Sequence, residues 1–158
     1  MAKTYQVNFA VRASNAIVTL LLRLGVPMGP MALLTVRGRK SGELRTTPIA
    51  IDVVDGRQWV IAPFGEVNWV RNLRAAGGGT IRRRGRTESI VAVELSPQDA
   101  APVLKSAIGR GPSFIKSYFD VTPSSSLEDF EQEAVRHPVF RLDRAASPVE
   151  MSGRSQQV

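Results

Sequence analysis

The chain has 158 residues, of which 43% are hydrophobic and 22% are charged, a composition typical of one ordinary globular domain. It contains no cysteine and only one histidine, which excludes disulfides, thiol catalysis and two-histidine relays, so no metal site is expected. Basic side chains outnumber acidic ones by 21 to 14, and the whole excess lies in residues 1–95. That part of the chain is expected to face an anionic partner: a phosphorylated ligand, a nucleic acid or a membrane surface.

The N-terminal segment shows neither a signal peptide nor the stretch of about 20 apolar residues that spans a membrane, so a cytoplasmic protein is expected. Residues 8–24 are predicted to form a helix, because their apolar residues recur at steps of three and four. This helix either packs on the core or makes peripheral contact with a membrane through a broad apolar face, which Arg12 and Arg23 bracket.

The next elements are predicted to be mostly strands. Residues 31–36, 45–54 and 57–63 have strand patterns, and Asp55-Gly56 indicates a tight hairpin turn between the last two. A helix over residues 67–76 is predicted to end at three consecutive glycines, and a strand pair follows at 80–84 and 87–95. Towards the C-terminus, the sequence predicts helices at 97–108, 112–120 and 125–135 and a closing strand at 137–142.

This order of elements predicts a mainly β protein of the α+β class with flanking helices. We expect four or five antiparallel strands in a small barrel or curled sheet, since helices do not alternate regularly with strands as they do in a doubly wound fold. The predicted organisation is an N-terminal helix and lead-in over 1–28, a barrel over 29–144 and a loose tail over 145–158.

The densest group of functional residue types is the segment 38–48, GRKSGELRTTP, between two predicted strands. Its glycines allow close approach of the backbone to a ligand, and its arginines and lysine are suited to binding phosphate. The alternative is a solvated basic hairpin turn.

A second group follows the strand at 57–63: APFG at residues 62–65, then NWVRNL at 68–73. A helix that begins after a glycine turn favours an anionic or carbonyl-bearing ligand, and Trp69 offers a plane for stacking. Alternatively, Trp69 and Leu73 are core residues and Asn72 caps a neighbouring loop.

Together, GRKSGELRTTPI, APFG and NWVRNL resemble the deazaflavin-dependent nitroreductase family, whose members have an FMN-binding-like split β-barrel. The resemblance implies a small antiparallel split β-barrel and the cofactor F420, an 8-hydroxy-5-deazaflavin with a phospholactyl-oligoglutamate tail. FMN is the alternative cofactor. The loop from Ala62 to Trp69 is shorter than in better-known members, and Glu66 places an acid near the expected tail site.

The resemblance also assigns cofactor contacts to segments of this chain. The phosphate-contacting loop and a nearby tail contact correspond to Arg39, Lys40, Ser41, Gly42 and Arg45. The strand beside the deazaflavin ring corresponds to Thr47, Pro48 and Ile49, and the backbone lining the cofactor to Ala62, Pro63, Phe64 and Gly65. Trp69 and Asn72 correspond to the helix that closes over the tail.

The activity that the resemblance implies is hydride transfer from the reduced deazaflavin to an electron-poor small molecule such as a quinone or a nitro compound. Tyr118 is the best match for a tyrosine that covers the substrate pocket in related proteins, and it is the predicted catalytic proton donor. The alternative is a partly buried tyrosine packed with Phe119. The protein is expected to be a monomer or a homodimer.

Two other functions remain open. The chain could bind F420 or FMN as a carrier without catalysis, because the residues alone do not separate a binder from an enzyme. The basic run 82–86 could also bind single-stranded nucleic acid, but no aromatic residue is interleaved with it, so no nucleic-acid partner is expected. His137, which precedes a proline, is expected to be structural.

Overall fold

The structure, a computed structural model, describes residues 9–146. Its helices are α1 (Phe9–Arg23), α2 (Asn68–Ala76), α3 (Pro97–Arg110), α4 (Ser113–Lys116) and α5 (Leu127–Arg136). Its strands are β1 (Met31–Arg37), β2 (Leu44–Ala50), β3 (Asp52–Val54), β4 (Arg57–Ile61), β5 (Gly78–Arg83), β6 (Arg86–Glu94) and β7 (Val139–Arg144). Most of the predicted tail, residues 147–158, lies outside the described residues, as do residues 1–8.

The strands form one sheet in the order β2-β1-β5-β6-β7-β4-β3, and every neighbouring pair is antiparallel. The predicted curled antiparallel sheet with flanking helices is confirmed, but the expected number of four or five strands is too low, since the described residues form seven. The predicted strand at 45–54 is two strands, because the chain leaves the β1 ladder at Ile51, whose N–H donates to the carbonyl of Pro30 (2.9 Å). The turn at Asp55-Gly56 has both residues at positive φ, as the hairpin signal predicts.

Alternate residues along the central strands enter two different cores. Val60 and Phe140 face the inner side of the sheet, where they pack with α2, whereas their neighbours Ile61 and Val139 face the outer side and pack with α3 and α5. Because successive side chains of a strand point to opposite faces, each buried strand contributes to a separate packed layer on each face of the sheet. The inner face is the one that positions the functional site, because α2 covers it.

Helix α1 lies against the outer face beside β1, β2 and β5. Leu22 is the buried residue of this helix, and Arg82 donates a hydrogen bond to the carbonyl of Arg23 (3.1 Å) at its C-terminal end. Several large apolar side chains of α1 face solvent, including Phe9, which is 87% exposed, and Leu20. Within residues 9–146, no helix has both the length and the apolar character needed to cross a membrane. Peripheral membrane contact through this helix stays a prediction.

The three consecutive glycines after α2 have different roles. Gly77 caps the helix with φ 72° and donates its N–H to the carbonyl of Leu73 (2.8 Å), so the predicted helix end is confirmed. Gly78 and Gly79 begin β5, where a Cβ would collide with the carbonyl oxygens of Ile90 and Thr35 on the two neighbouring strands. Close packing of three backbones therefore requires glycine at the start of this central strand.

Replacing Gly79 with alanine is expected to lower the free energy of unfolding by about 1–3 kcal/mol, because neighbouring backbone must move to accommodate the methyl group. Gly109 is a matched control: it lies in α3, where a Cβ would have no neighbour within 4 Å, and Gly109→Ala should stabilise the protein by about 0.5–1 kcal/mol. Urea unfolding of both variants measures the difference. Equal stability of the two variants would contradict the close approach of β1 to β5.

Candidate functional site

A groove of about 500 Å³ lies between the loop that joins β1 to β2 and the helix α2. Seven of the residues predicted to contact the cofactor line it: Arg39, Lys40, Ser41, Arg45, Thr47, Trp69 and Asn72. Five further lining residues are Leu34, Val36, Gly38, Thr46 and Asn68. The two segments of the sequence that were singled out separately thus form opposite walls of one site.

The β1–β2 loop is held in shape by its own hydrogen bonds. The N–H of Gly38 donates to the carbonyl of Glu43 (2.7 Å), and the N–H of Gly42 donates to the carbonyl of Gly38 (2.9 Å). Gly42 adopts φ 72°, a conformation that favours glycine, and its carbonyl accepts from Arg37 (2.7 Å). Gly38 is closely enclosed, since a Cβ there would lie 3.1 Å from the Ser41 hydroxyl. The loop therefore presents its cations from a fixed backbone.

Asn72 of α2 ties this loop to the helix. Its Oδ1 accepts from the backbone N–H of Arg39 (3.2 Å) and from the Arg39 guanidinium (2.8 Å), which also approaches Oδ1 of Asn68 (3.5 Å). Asn72 is buried, so these hydrogen bonds are sheltered from water and removal of the acceptor would be costly. Asn72 therefore caps a neighbouring loop, as the alternative interpretation expects. Its contact with the cofactor tail stays a prediction.

Two further cations face the groove with little to neutralise them. Lys40 is exposed and forms no ion pair with another described residue. Arg45 pairs with Glu43 (3.0 Å), but these side chains are 59% and 71% exposed, and such surface pairs contribute about 1 kcal/mol or less. No carboxylate lies among the described residues that line the groove. The site therefore combines three positive charges with hydroxyl donors, which suits phosphate and carboxylate groups.

The opposite part of the groove is apolar and aromatic. Leu34 and Val36 are buried side chains of β1 that line it, and Trp69 adds an indole ring. Trp69 also packs on Phe140 of the inner core, with ring centroids 6.4 Å apart. Its ring is therefore fixed by the core while it borders the groove. The interpretation of Trp69 as a core residue describes this packing, and its stacking on a ligand stays a prediction.

The acid expected near the tail site is directed elsewhere. Glu66 pairs with Arg74 (3.0 Å), and the same guanidinium binds Glu94 through two contacts of 2.7 Å. Hydrogen bonds to Glu94 and then Glu66 raise the pKa of Arg74. Glu66 does not line the groove, and its carboxylate shares the Arg74 guanidinium with Glu94.

The segment 62–65, predicted to line the cofactor, is braced from behind and does not line the groove. His137 approaches the carbonyl of Ala62 through Nδ1 (3.1 Å) and the carboxylate of Glu133 through Nε2 (3.2 Å). Gly65 has φ 77°, and a Cβ there would lie 3.2 Å from the carbonyl of Arg136. His137 is thus placed as a structural residue that holds the start of the loop leading to α2.

The Glu133 carboxylate that supports His137 is almost fully buried, with 1% exposure. It accepts from the backbone N–H of Asp120 (3.1 Å) and from the guanidinium of Arg136. The charge of Glu133 raises the pKa of Arg136, and Asp120 contributes a further ion pair to that arginine (3.1 Å). These contacts satisfy a buried charge that would otherwise destabilise the fold.

Tyr118 lies outside the groove. Its ring packs edge-on against Phe64, with centroids 4.8 Å apart and planes at 80°. Tyr118 is also half-buried against the outer core cluster that contains Phe119, as the structural alternative expects. Phe119 itself lies against the imidazole of His137, at 4.3 Å. Tyr118 therefore borders the 62–65 segment, and its role as proton donor stays a prediction.

Three other predicted contacts are also placed away from the groove. Gly42 serves the turn, Ile49 is buried in the inner core, and Pro48 lies opposite Leu33 in the ladder with β1. The lining residues that sequence reasoning missed had usable signals. Leu34 and Val36 alternate along β1 on one face, and Asn68 precedes Asn72 by one helical turn.

The sequence model that describes the family "F420H(2)-dependent quinone reductase" matches residues 5–118 of this chain. The chain therefore belongs to the F420H2-dependent quinone reductases, and the predicted resemblance to deazaflavin-dependent reductases is confirmed. No curated protein matches the chain significantly.

Solved structures share the fold at low sequence identity. One, described as an F420-H2 dependent reductase, is 21% identical with a TM-score of 0.50, over 72% of this chain and 94% of that chain. Another, described as a domain-swapped dimer, is 20% identical with a TM-score of 0.54, over 85% and 97%. A pyridoxamine 5'-phosphate oxidase-related, FMN-binding protein from Nostoc punctiforme is 11% identical with a TM-score of 0.53, over 82% and 78%. The split-barrel fold is thereby confirmed.

Lys40→Ala is expected to weaken F420 binding by about tenfold or more, because it removes an unpaired cation from the groove and with it a charge-assisted contact to phosphate. Glu66→Gln is the matched control from the segment before α2, and it should change the affinity by less than about twofold because Glu66 does not line the groove and forms an exposed pair with Arg74. Fluorescence titration with F420 measures both. Equal effects of the two substitutions would contradict the assignment of the groove.

Proposed function

We propose that this protein is an F420H2-dependent reductase that reduces an electron-poor small molecule such as a quinone or a nitro compound. The observation that carries the proposal is the convergence of the basic β1–β2 loop and the aromatic wall of α2 on one groove. A cofactor with a polyanionic tail and a flat ring needs both features. Family membership supports the same conclusion.

The donor set of the groove fits F420. Lys40 and Arg45 are available to hold phosphate or glutamate carboxylates, and Ser41 adds a hydroxyl in the same loop. Gly38 lets the loop fold tightly, because a Cβ there would lie 3.1 Å from the carbonyl oxygen of Glu43 and from the Ser41 hydroxyl. Leu34, Val36 and Trp69 offer an apolar border for a ring.

When bound, reduced F420 supplies a hydride, and one proton completes the two-electron reduction of the acceptor. The residues of this chain contribute position and electrostatics: the cations of the groove would hold the tail, and the braced 62–65 segment fixes the start of the loop that leads to α2. We propose Tyr118 as the proton donor, because it packs on Phe64 of that segment. We propose that the protein works as a monomer or a homodimer, since residues of a single chain form both walls of the groove.

Binding without turnover is the second candidate. It is favoured by one observation: the described lining of the groove contains no carboxyl group, and Tyr118 lies outside it, so a general acid is not evident there. FMN also carries a phosphate that the basic loop could hold, which makes it the alternative cofactor.

A turnover assay with F420H2 and either a soluble quinone or a nitroaromatic tests the proposal. We expect oxidation of F420H2 that depends on the acceptor, and no such oxidation of reduced FMN. Tyr118→Phe should lower the turnover number about tenfold or more while F420 affinity stays unchanged, because general acid catalysis is lost without loss of a tail contact.

Three outcomes separate the candidates. F420 binding with no turnover on either acceptor class would favour the carrier. Binding of FMN but not F420 would overturn the cofactor assignment. Full activity of Tyr118→Phe would remove this residue as proton donor and leave the reductase assignment intact.

A further inference from the structure

A second cavity, of about 870 Å³, lies at the turn between β5 and β6. We call it the far-end cavity and define it by Gln58, Arg83, Arg84, Arg86, Glu88 and Arg144. Nothing in the proposed reductase function uses it. Four of these six side chains are arginines, and one is acidic.

The far-end cavity is separate from the cofactor groove. The ladder between β1 and β5 is antiparallel, so the β5–β6 turn lies at the end of the sheet opposite the β1–β2 loop. The groove and the far-end cavity share no lining residue. Leu34 borders the first and Ile81 the second, and these two buried residues are partners in the ladder. One pair of buried side chains therefore lies between the two sites.

Two of the arginines in the far-end cavity lie side by side without an acidic partner. Arg83 and Arg86 are direct partners across the β5–β6 ladder, an arrangement of like charges that destabilises a sheet. Neither forms an ion pair with another described residue. The one acid of the cavity, Glu88, pairs with Arg144 (3.4 Å). A bound anion between Arg83 and Arg86 would convert this repulsion into two charge-assisted contacts.

The turn between β5 and β6 adds a third cation to the rim of the far-end cavity. Arg84 has φ 51° and Gly85 has φ 76°, the same two-residue hairpin geometry as at Asp55-Gly56. The Arg84 side chain lines the cavity beside Arg83 and Arg86.

Gln58 supplies a different kind of contact. Its Oε1 is buried and has no hydrogen-bond partner among the described residues, while its Nε2 faces the Glu88 carboxylate (3.5 Å). An unpaired buried acceptor is costly unless a ligand donates to it. A ligand that carries an O–H or N–H donor beside its anionic groups would therefore satisfy the Oε1 of Gln58.

We propose that the far-end cavity binds a small polyanion, phosphorylated or carrying several carboxylates, that also donates a hydrogen bond to Gln58. The absence of an aromatic side chain among its described lining residues disfavours single-stranded nucleic acid, which stacks its bases on aromatic rings. This inference does not depend on the reductase function.

Calorimetric titration with pyrophosphate tests it, in a Lys40→Ala background so that the cofactor groove contributes little. Replacing Arg83 and Arg86 together with glutamine should weaken binding at least about tenfold, because two charged contacts are lost. Replacing Arg12 and Arg71 with glutamine removes the same charge from exposed helix positions outside both sites and should leave the affinity within about twofold.

Thermal unfolding with and without pyrophosphate separates a loss of binding from a loss of stability in a variant. Pyrophosphate should raise the melting temperature of the parent but not that of the Arg83/Arg86 variant, whose unliganded melting temperature should not fall since a repulsion is removed. Gln58→Met should weaken pyrophosphate binding as well. Unchanged affinity in the Arg83/Arg86 variant would overturn the proposal, and unchanged affinity in Gln58→Met would remove the donor requirement.

The anion could also be the glutamate tail of F420, and a titration of the Arg83→Gln/Arg86→Gln variant with F420 distinguishes this source from a free polyanion. We expect unchanged F420 affinity. A loss of F420 affinity as large as the loss for pyrophosphate would make the far-end cavity part of the cofactor site and overturn its independence.

Discussion

The hydrogen bonds from Arg39 to Asn72 join the loop that carries the cations of the groove to the helix that carries its aromatic wall. The two segments are 33 residues apart in the chain and belong to different layers of the fold. Because Asn72 is buried and accepts from both the backbone and the guanidinium of Arg39, the loop is ordered before any ligand arrives. Ordering in advance lowers the entropic cost of binding a flexible anionic tail.

The sheet has a packed core on each face, and this explains how the walls of the groove are rigid while the groove itself is open to a ligand. Val70 and Leu73 anchor α2 to the inner core, so Trp69 and the two asparagines project from a fixed helix. On the outer face, α5 carries the buried Glu133, which supports His137 and through it the carbonyl of Ala62. Both cores therefore position the start of α2, from opposite faces of one sheet.

Local patterns were sufficient to predict much of the fold and part of the site. The Asp55-Gly56 turn and the cap of α2 at Gly77 follow from short-range chemistry, which the sequence displays directly. The β1–β2 loop could be predicted because its cations and glycines are contiguous. The break at Ile51, by contrast, depends on a hydrogen bond to Pro30 that no local pattern encodes.

Contacts between distant segments were harder to predict. The pairing of Glu66 with Arg74 is local, between the segment before α2 and its last turn, but its completion by Glu94 requires the position of β6. The packing of Tyr118 on Phe64 likewise depends on how the segment after α4 returns to the sheet. Charge clusters show the same limitation: the run of arginines at 82–86 alternates between the two faces, so Arg82 bonds to α1 while Arg83 lines the far-end cavity.

The central claim is that the groove recognises the anionic tail through charge held in a preformed loop. The most direct measurement compares the affinity of F420 with that of a deazaflavin lacking the phosphate and the glutamates, at low and at high salt. The account predicts that F420 binds about tenfold or more tightly at low salt and that this advantage shrinks as salt screens the exposed cations. Equal affinities that do not respond to salt would contradict it.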